Sequence, residues 1–297
     1  MTATLDALAR DSGTFLMVAM DQRESLRAML AEHHPPPIDD DRLVRFKLAV
    51  ARELAPYASG FLIDRQFGFD DVVRQRLLPA TCGLVLAADA IVPEPGNPVG
   101  DTNLDGELDA HAAAAAGAAA LKLLVVWRDD DQRSHRLDMA RRFVETARAA
   151  GLLSILEGVV RPAVGANGFD REAAIVQAAG ELASVGPSLY KVEVPLHGRG
   201  DRAEIERRCR EIDAAVGCPW VLLSSGVDPD DFPAAVEAAC RAGASGILAG
   251  RALWRGVLGA DDPTFLLRQH AAPRLQRLGD IVDRYGRPWR ERYGPAR

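Results

Sequence analysis

Two lysines interrupt apolar runs that otherwise read as strands. They are Lys122 in Leu121-Lys122-Leu123-Leu124-Val125-Val126-Trp127 and Lys191 in Tyr190-Lys191-Val192-Glu193-Val194. An unpaired ammonium in such a setting costs several kcal/mol, so each needs a compensating partner or a task. A task open to a buried lysine is attack on a carbonyl carbon, which ends in a Schiff base. Only the free amine attacks, so the proton must leave well below the ordinary lysine pKa of about 10.4. Burial and a second nearby cation both push that way, and Lys122 supplies the second cation if the fold joins the two inward faces. Strand alternation puts Lys191 and Glu193 on one face, so a plain buried Lys191 to Glu193 ion pair is the alternative reading.

Schiff-base chemistry also needs acids and bases to dehydrate the carbinolamine and to take a hydroxyl proton as a C–C bond breaks. Asp21, Asp64, Asp89 and Glu157 each stand at the end of an apolar run, where such groups belong in a barrel enzyme, although any of them could instead cap the next helix. After the last two runs come Ser224-Ser225-Gly226 and Gly250-Arg251. Glycine allows close backbone approach, serine adds a donor, and arginine offers a charged fork, which together suit a phosphate. A metal site is not expected. His33 and His34 lie in a proline-rich connector, His111, His135 and His270 in helical segments, and only His197 follows a strand. Neither a G-x-S-x-G elbow nor a G-x-G-x-x-G after a strand occurs, so serine hydrolase and dinucleotide chemistry lack their anchors. No cofactor is expected.

The elements that must hold these residues alternate along the chain. Eight apolar runs are legible: Thr14 to Met20, Gly60 to Ile63, Gly83 to Ala88, Leu121 to Trp127, Leu152 to Leu156, Leu189 to Val194, Trp220 to Leu223 and Gly246 to Ala249. Their continuous apolar character predicts parallel strands buried on both faces. Amphipathic segments fall between them, including Arg42 to Ala58, Ser134 to Ala150 and Asp170 to Ser184. Asp201 predicts an N-cap, and Asp228-Pro229-Asp230-Asp231 predicts a cap with proline at the first helical position. The eightfold alternation predicts an α/β fold of the (β/α)8 TIM-barrel type, with a doubly wound open sheet as the rival. Residues 1–297 read as one domain, with a core from about 12 to 283 and a tail from 284 to 297 that is too short for a domain of its own and is expected to fray or to touch a second subunit. Pro93 to Gly106 and Gly158 to Gly168 read as long loops, lid or substrate-wall candidates.

Composition narrows the classes. A net charge of −6 and a pI near 5.6 argue against nucleic-acid binding. No apolar stretch reaches the roughly 20 residues a membrane span needs, and nothing resembles a signal peptide. The four cysteines form no CxxC pair, which fits a reducing cytoplasm.

With these residues assembled, the chain resembles the class I aldolases that include tagatose-bisphosphate aldolase and sulfofructosephosphate aldolase, the second more closely. The resemblance is carried by Ala19-Met20-Asp21-Gln22-Arg23-Glu24, Leu62-Ile63-Asp64, Ala119-Ala120-Leu121-Lys122, Val159-Val160-Arg161-Pro162, Leu189-Tyr190-Lys191-Val192-Glu193, Leu222-Leu223-Ser224-Ser225-Gly226-Val227 and Leu248-Ala249-Gly250-Arg251-Ala252. It implies Lys191 as the Schiff-base lysine, with Asp21, Lys122 and Glu157 as its polar surroundings. It also implies a phosphate site of Ser225, Gly226, Gly250 and Arg251, joined by Ser224 and Asp64 among the substrate-binding residues. Gln22 and Arg23 are suited to the far anionic end of the substrate. The implied reaction, within sulfoquinovose catabolism, is retro-aldol cleavage of 6-deoxy-6-sulfofructose 1-phosphate to dihydroxyacetone phosphate and 3-sulfolactaldehyde by a homo-oligomeric lyase. A tagatose or fructose 1,6-bisphosphate aldolase, or a non-catalytic sugar-phosphate sensor, is the alternative. Gly158 stands where this resemblance leads one to expect proline.

Overall fold

The computed structural model describes residues 3–292. Ten strands follow one another along the chain: β1 (Phe15–Met20), β2 (Gly60–Ile63), β3 (Gly83–Ala87), β4 (Asp89–Glu94), β5 (Asn97–Leu104), β6 (Ala118–Trp127), β7 (Leu153–Val160), β8 (Leu189–Val192), β9 (Trp220–Leu222) and β10 (Gly246–Ala249). Eight of them close into a parallel barrel in the order β1-β2-β3-β6-β7-β8-β9-β10, with helices packed around it. The TIM-barrel architecture read from the eight apolar runs is the one observed. β4 and β5 form a separate antiparallel hairpin.

Alternation along each barrel strand produces two apolar layers. Side chains pointing outward meet the helices in one large core that includes Phe61, Tyr190 and Trp220. Those pointing inward, among them Phe15, Met17, Leu62, Val85, Ile155, Leu189, Val221 and Leu248, fill the barrel with a second dry cluster. Leu5 and Leu8, on a short N-terminal turn of helix, close the bottom of this cluster. Each such side chain contributes roughly 1.5–3 kcal/mol by leaving water. The inner cluster is the floor on which the polar residues at the upper strand ends rest.

The helix Arg133–Ala149 and the helix Arg171–Ala183, capped by Asp170, lie within a residue or so of their expected positions. Asp201 accepts from the Ala203 N–H as an N-cap. The other expected cap is corrected. The helix after β9 begins at Phe232 with Pro233 in its first turn, while Asp228 closes a turn by accepting from the Asp230 N–H. Proline at 229 thus belongs to the approach to the helix. Two expected loops also change. Most of Pro93 to Gly106 is the second half of the β4/β5 hairpin, and the first three residues of Gly158 to Gly168 extend β7. The hairpin has exposed polar tips, so its period-two pattern was masked by Pro, Gly and Asn. It is fastened to the barrel where Thr102 Oγ1 donates to the Leu124 carbonyl at 2.7 Å and Arg128 grips Glu94 at 3.0 Å and the Gly100 carbonyl at 3.0 Å.

The tail does not fray as far as Arg292. The Trp289 N–H donates to the Gly13 carbonyl at 2.8 Å, and Arg287 and Arg292 both reach Asp213. The last five residues of the expected tail lie outside the described residues.

Gly158 has a local reason. A Cβ placed there would stand 2.1 Å from the Tyr190 hydroxyl, which is buried without a hydrogen-bond partner among the described residues. Gly158→Ala should therefore cost about 1–3 kcal/mol through overpacking. Tyr190→Phe, which removes an unsatisfied polar atom, should restore most of that loss in the double variant. Chemical denaturation of the two single variants and the double variant measures the coupling. Additive effects would contradict the contact.

Candidate active site

Strand register brings the two lysines together. Glu157 on β7 pairs with Lys191 on β8 and, across its other edge, with Leu124 on β6, two residues above Lys122. All three functional side chains point into the barrel just above the apolar floor. Lys191 is 3% exposed and Lys122 2% exposed. One carboxylate oxygen, Glu157 Oε2, accepts from Lys191 Nζ at 2.9 Å and lies 2.8 Å from Lys122 Nζ. Lys122 also donates to Asp21 at 2.8 Å and to Asp89 at 3.2 Å. The paired reading of Lys191 with Glu193 is replaced. Glu193 lies beyond the end of β8, where it accepts from the Val160 N–H at 2.7 Å and from Arg171 at 3.1 Å.

These groups open into a cavity of about 520 Å³ lined by Asp21, Lys122, Glu157, Lys191, Ser225 and Arg251. One wall is the hairpin, through Ile91, Pro93, Asn97, Pro98 and Val99. Ile91 and Val99 pack on Leu124, Val159 and Leu223 to form an apolar cuff above the charged layer.

Opposite the hairpin, the loops after β9 and β10 meet. Ser224 Oγ accepts from the Gly250 N–H at 3.2 Å and the Ala252 N–H at 3.4 Å, which ties one loop to the other. Gly226 turns its loop at φ +76°, a conformation that favours glycine. It does not line the cavity; a Cβ there would face His197 instead. Gly250 must be glycine because a Cβ would stand 2.6 Å from the Ala19 carbonyl. Arg251 donates to the Ser225 hydroxyl, a neutral partner that leaves its charge available.

Of three expected substrate contacts, Gln22 and Arg23 line the cavity and Asp64 does not. Gln22 lies beside Gly250, with its Oε1 buried and without a hydrogen-bond partner among the described residues. Arg23 donates to Asp89 at 3.2 Å and lies 3.9 Å from Asp64, so two carboxylates already neutralise it. Asp64 is 0% exposed, bonded to the equally buried Lys47 and to the Phe67 N–H, and does not line the cavity. Lys47 escaped the sequence reading because it sits in an amphipathic helix, where one lysine among apolar neighbours looks like a solvated position. Arg161 also lines the cavity, 4.0 Å from Glu193.

Residues 15–256 match the family described as DeoC/LacD family aldolase. The chain belongs to this family and is a carbon–carbon lyase of the class I aldolase type. Tagatose 1,6-diphosphate aldolase 2 of Streptococcus pyogenes serotype M1 is 27% identical over 333 residues, covering 98% of this chain and 100% of that protein. Tagatose 1,6-diphosphate aldolase of Listeria monocytogenes is 26% identical over 321 residues, covering 98% and 94%. Among solved structures, an archaeal fructose-1,6-bisphosphate aldolase with its catalytic lysine covalently bound to the carbinolamine intermediate shares the fold at TM-score 0.63 and 16% identity, over 94% of this chain and 98% of that one. Fructose-bisphosphate aldolase from Slackia heliotrinireducens does so at TM-score 0.67 and 18% identity, over 94% and 88%.

The electrostatics of the buried charge cluster follow from this packing. Burial alone would raise the Asp21 carboxyl, but the charges of Lys122 and Lys191 outweigh it and hold Asp21 well below the usual carboxylate range. Glu157 is lowered in the same way, against burial and against Asp21. Burial also works against charge on Lys122, yet Asp21, Asp89 and Glu157 together hold it well above its ordinary value. Lys122 is therefore a fixed cation. Lys191 is buried at the edge of the cavity, and its surroundings are not simply positive: the group it donates to is a carboxylate shared with Lys122. Among the described residues, no group of three or more His, Cys, Asp or Glu side chains is placed to hold a metal ion, and no helix is long and apolar enough to cross a membrane.

Carboxyls lowered in the folded state stabilise it fully above their ordinary range, and that contribution disappears as pH falls below about 4. Removing the cation from a buried cluster of this kind costs about 3–5 kcal/mol. Lys122→Met should show that loss at pH 7 and a smaller one at pH 4, where the unshielded carboxyls take up protons. Thermal unfolding across this range measures it; a gap between variant and wild type that ignores pH would contradict the charge cluster.

Proposed function

We propose that Lys191 is the Schiff-base lysine of this aldolase and that its substrate is a ketose 1-phosphate carrying a second anion at C6. The observation that supports this most is the shared Glu157 oxygen, which gives Lys191 a proton acceptor at 2.9 Å inside a dry cavity while Lys122 keeps a fixed positive charge beside it. Lys191 passes a proton to Glu157, and the free amine attacks the C2 carbonyl. Glu157 returns the proton as the carbinolamine loses water, which leaves an iminium. A carboxylate, Glu157 or Asp21, takes the C4 hydroxyl proton, the C3–C4 bond breaks, and its electrons move into the iminium to form an enamine. The aldehyde leaves. Protonation at C3 and hydrolysis then release dihydroxyacetone phosphate and restore the lysine. Ser225 and Arg251 hold the C1 phosphate, with Gln22 and the Gly250 backbone beside them.

For the far end we favour a sulfonate, and so 6-deoxy-6-sulfofructose 1-phosphate. The cavity is walled by the apolar cuff and also lined by Arg161, while Arg23 is already neutralised by Asp89 and Asp64. A weakly hydrated monoanion suits that wall better than a phosphate dianion. Tagatose 1,6-bisphosphate is the second reading, favoured by the names of the relatives at 26% and 27% identity. As a cytoplasmic homo-oligomer in sulfoquinovose catabolism the enzyme would hand its three-carbon sulfonate onward.

Lys191→Met should abolish cleavage, and borohydride with dihydroxyacetone phosphate should add mass at Lys191 in the wild type. Labelling at another residue, or none, would refute the assignment. Arg251→Met should raise KM for the ketose 1-phosphate roughly tenfold to a hundredfold, the loss of a charged hydrogen bond. A coupled assay for dihydroxyacetone phosphate across the sulfonate and the two bisphosphates ranks the substrates by kcat/KM.

A further inference from the structure

The ion pair of Lys47 and Asp64 lies outside the reaction cavity and has no evident task. Lys47 belongs to the helix Asp40–Leu54 on the outside of the barrel, yet its ammonium turns inward and is 0% exposed. It donates to Asp64 Oδ2, just past the end of β2, and stands 5.5 Å from the Phe67 ring. Asp64 Oδ1 accepts from the Phe67 N–H at 2.8 Å and faces Arg23 Nε at 3.9 Å, too far for a hydrogen bond. Arg23 gives its Nη2 to Asp89 Oδ1 at 3.2 Å. Asp89 Oδ2 in turn accepts from Lys122 Nζ at 3.2 Å and from the Leu124 N–H at 3.1 Å. Charges therefore alternate without a gap from Lys47 through Asp64, Arg23, Asp89 and Lys122 to Glu157 and Lys191. Four cations, Lys47, Arg23, Lys122 and Lys191, interleave with four carboxylates, Asp64, Asp89, Asp21 and Glu157.

A buried ion pair is a poor source of stability compared with apolar residues of similar size, so its position in this chain is the informative fact. Asp64 carries one negative charge and has two cations near it. While Lys47 satisfies it, Arg23 is free to bond Asp89; without Lys47, Asp64 would draw the guanidinium across the remaining 3.9 Å and away from Asp89. We propose that Lys47 and Asp64 are positioning residues: by neutralising Asp64, Lys47 sets Arg23 against Asp89, and Asp89 then fixes the Lys122 ammonium beside Glu157 and Lys191. This inference rests on Lys191 as the Schiff-base lysine.

The test compares Lys47→Met, and the double variant Lys47→Met/Asp64→Asn, with the wild type. Asparagine keeps an oxygen for the Phe67 N–H and removes the uncompensated charge, so the double variant regains the stability that the single one loses. The rate of borohydride trapping with dihydroxyacetone phosphate is measured against its concentration. Lys47→Met should trap with a maximal rate about tenfold to a hundredfold lower, as expected when reacting groups are held slightly out of place, and the double variant, in which no charge at position 64 competes for Arg23, should recover most of that rate. The half-saturating concentration should stay near that of the wild type, because Arg251 and Ser225 are untouched. A purely structural pair predicts instead that Lys47→Met, assayed well below its unfolding temperature, traps at the wild-type rate; that result, or a double variant that stays as slow as the single one, overturns the proposal. A crystal structure of Lys47→Met gives a reading that does not depend on Lys191. Loss of the Arg23 to Asp89 bond supports the proposal, and an unchanged bond overturns it. Failure of the wild type itself to trap would instead refute the Schiff-base assignment and the inference with it.

Discussion

A single carboxylate oxygen, Glu157 Oε2, stands between the nearly fully buried amines of Lys122 and Lys191. It is the carboxylate that offsets the burial of Lys191, and Glu157 could not be buried ionised without the two amines. The arrangement imposes a geometric demand on the whole barrel. Three adjacent strands, β6, β7 and β8, must run parallel in a register that turns these residues inward at nearly one height, and the layer beneath them must be dry. The inner cluster of Phe15, Met17, Ile155, Leu189, Val221 and Leu248 meets the second requirement.

Fixed charge and movable proton are separated by this packing. Lys122 has three carboxylates around it and stays an ammonium, whereas Lys191 has one, and that one is shared. The asymmetry is positional: Lys122 on β6 reaches Asp89, beyond the neighbouring β3, and Asp21, beyond β1, while β8 borders β9. In the proposed reaction the lysine with fewer carboxylates is the one able to give up its proton and bond to carbon, and the other holds the field steady while it does so.

The two ends of the cavity are built from different materials. On one side, Ser224 stitches the loops after β9 and β10 together through backbone N–H groups, so Arg251 and Ser225 are presented by a rigid frame. On the other side the hairpin contributes mostly apolar surface. Charge at the site is balanced internally by interleaved acids and bases, so in the proposed reaction the cluster itself contributes little to holding an anionic substrate and that task is left to Arg251 and Arg161.

Much of this was legible in the chain alone, for a definite reason. Parallel barrel strands are buried on both faces, so they stand out as apolar runs, and a lysine or a terminal acid inside such a run is conspicuous. Lys122, Lys191, Glu157 and Asp21 could be picked out on that basis, and so could the Ser-Gly and Gly-Arg loops. The partners were not legible. Pairing Lys191 with Glu157, 34 residues away, depends on strand register, while the local alternation that pointed to Glu193 fails because β8 ends at Val192. Lys47 looks like any surface lysine until the helix docks and its ammonium meets Asp64. Arg23 looks unpaired in the chain, and only the fold shows Asp89 at 3.2 Å and Asp64 at 3.9 Å from it. Residue type and local pattern determine which groups are costly to bury; only tertiary packing decides which opposite charge offsets that cost, because the partner is set by distances between strands and helices that are remote in sequence.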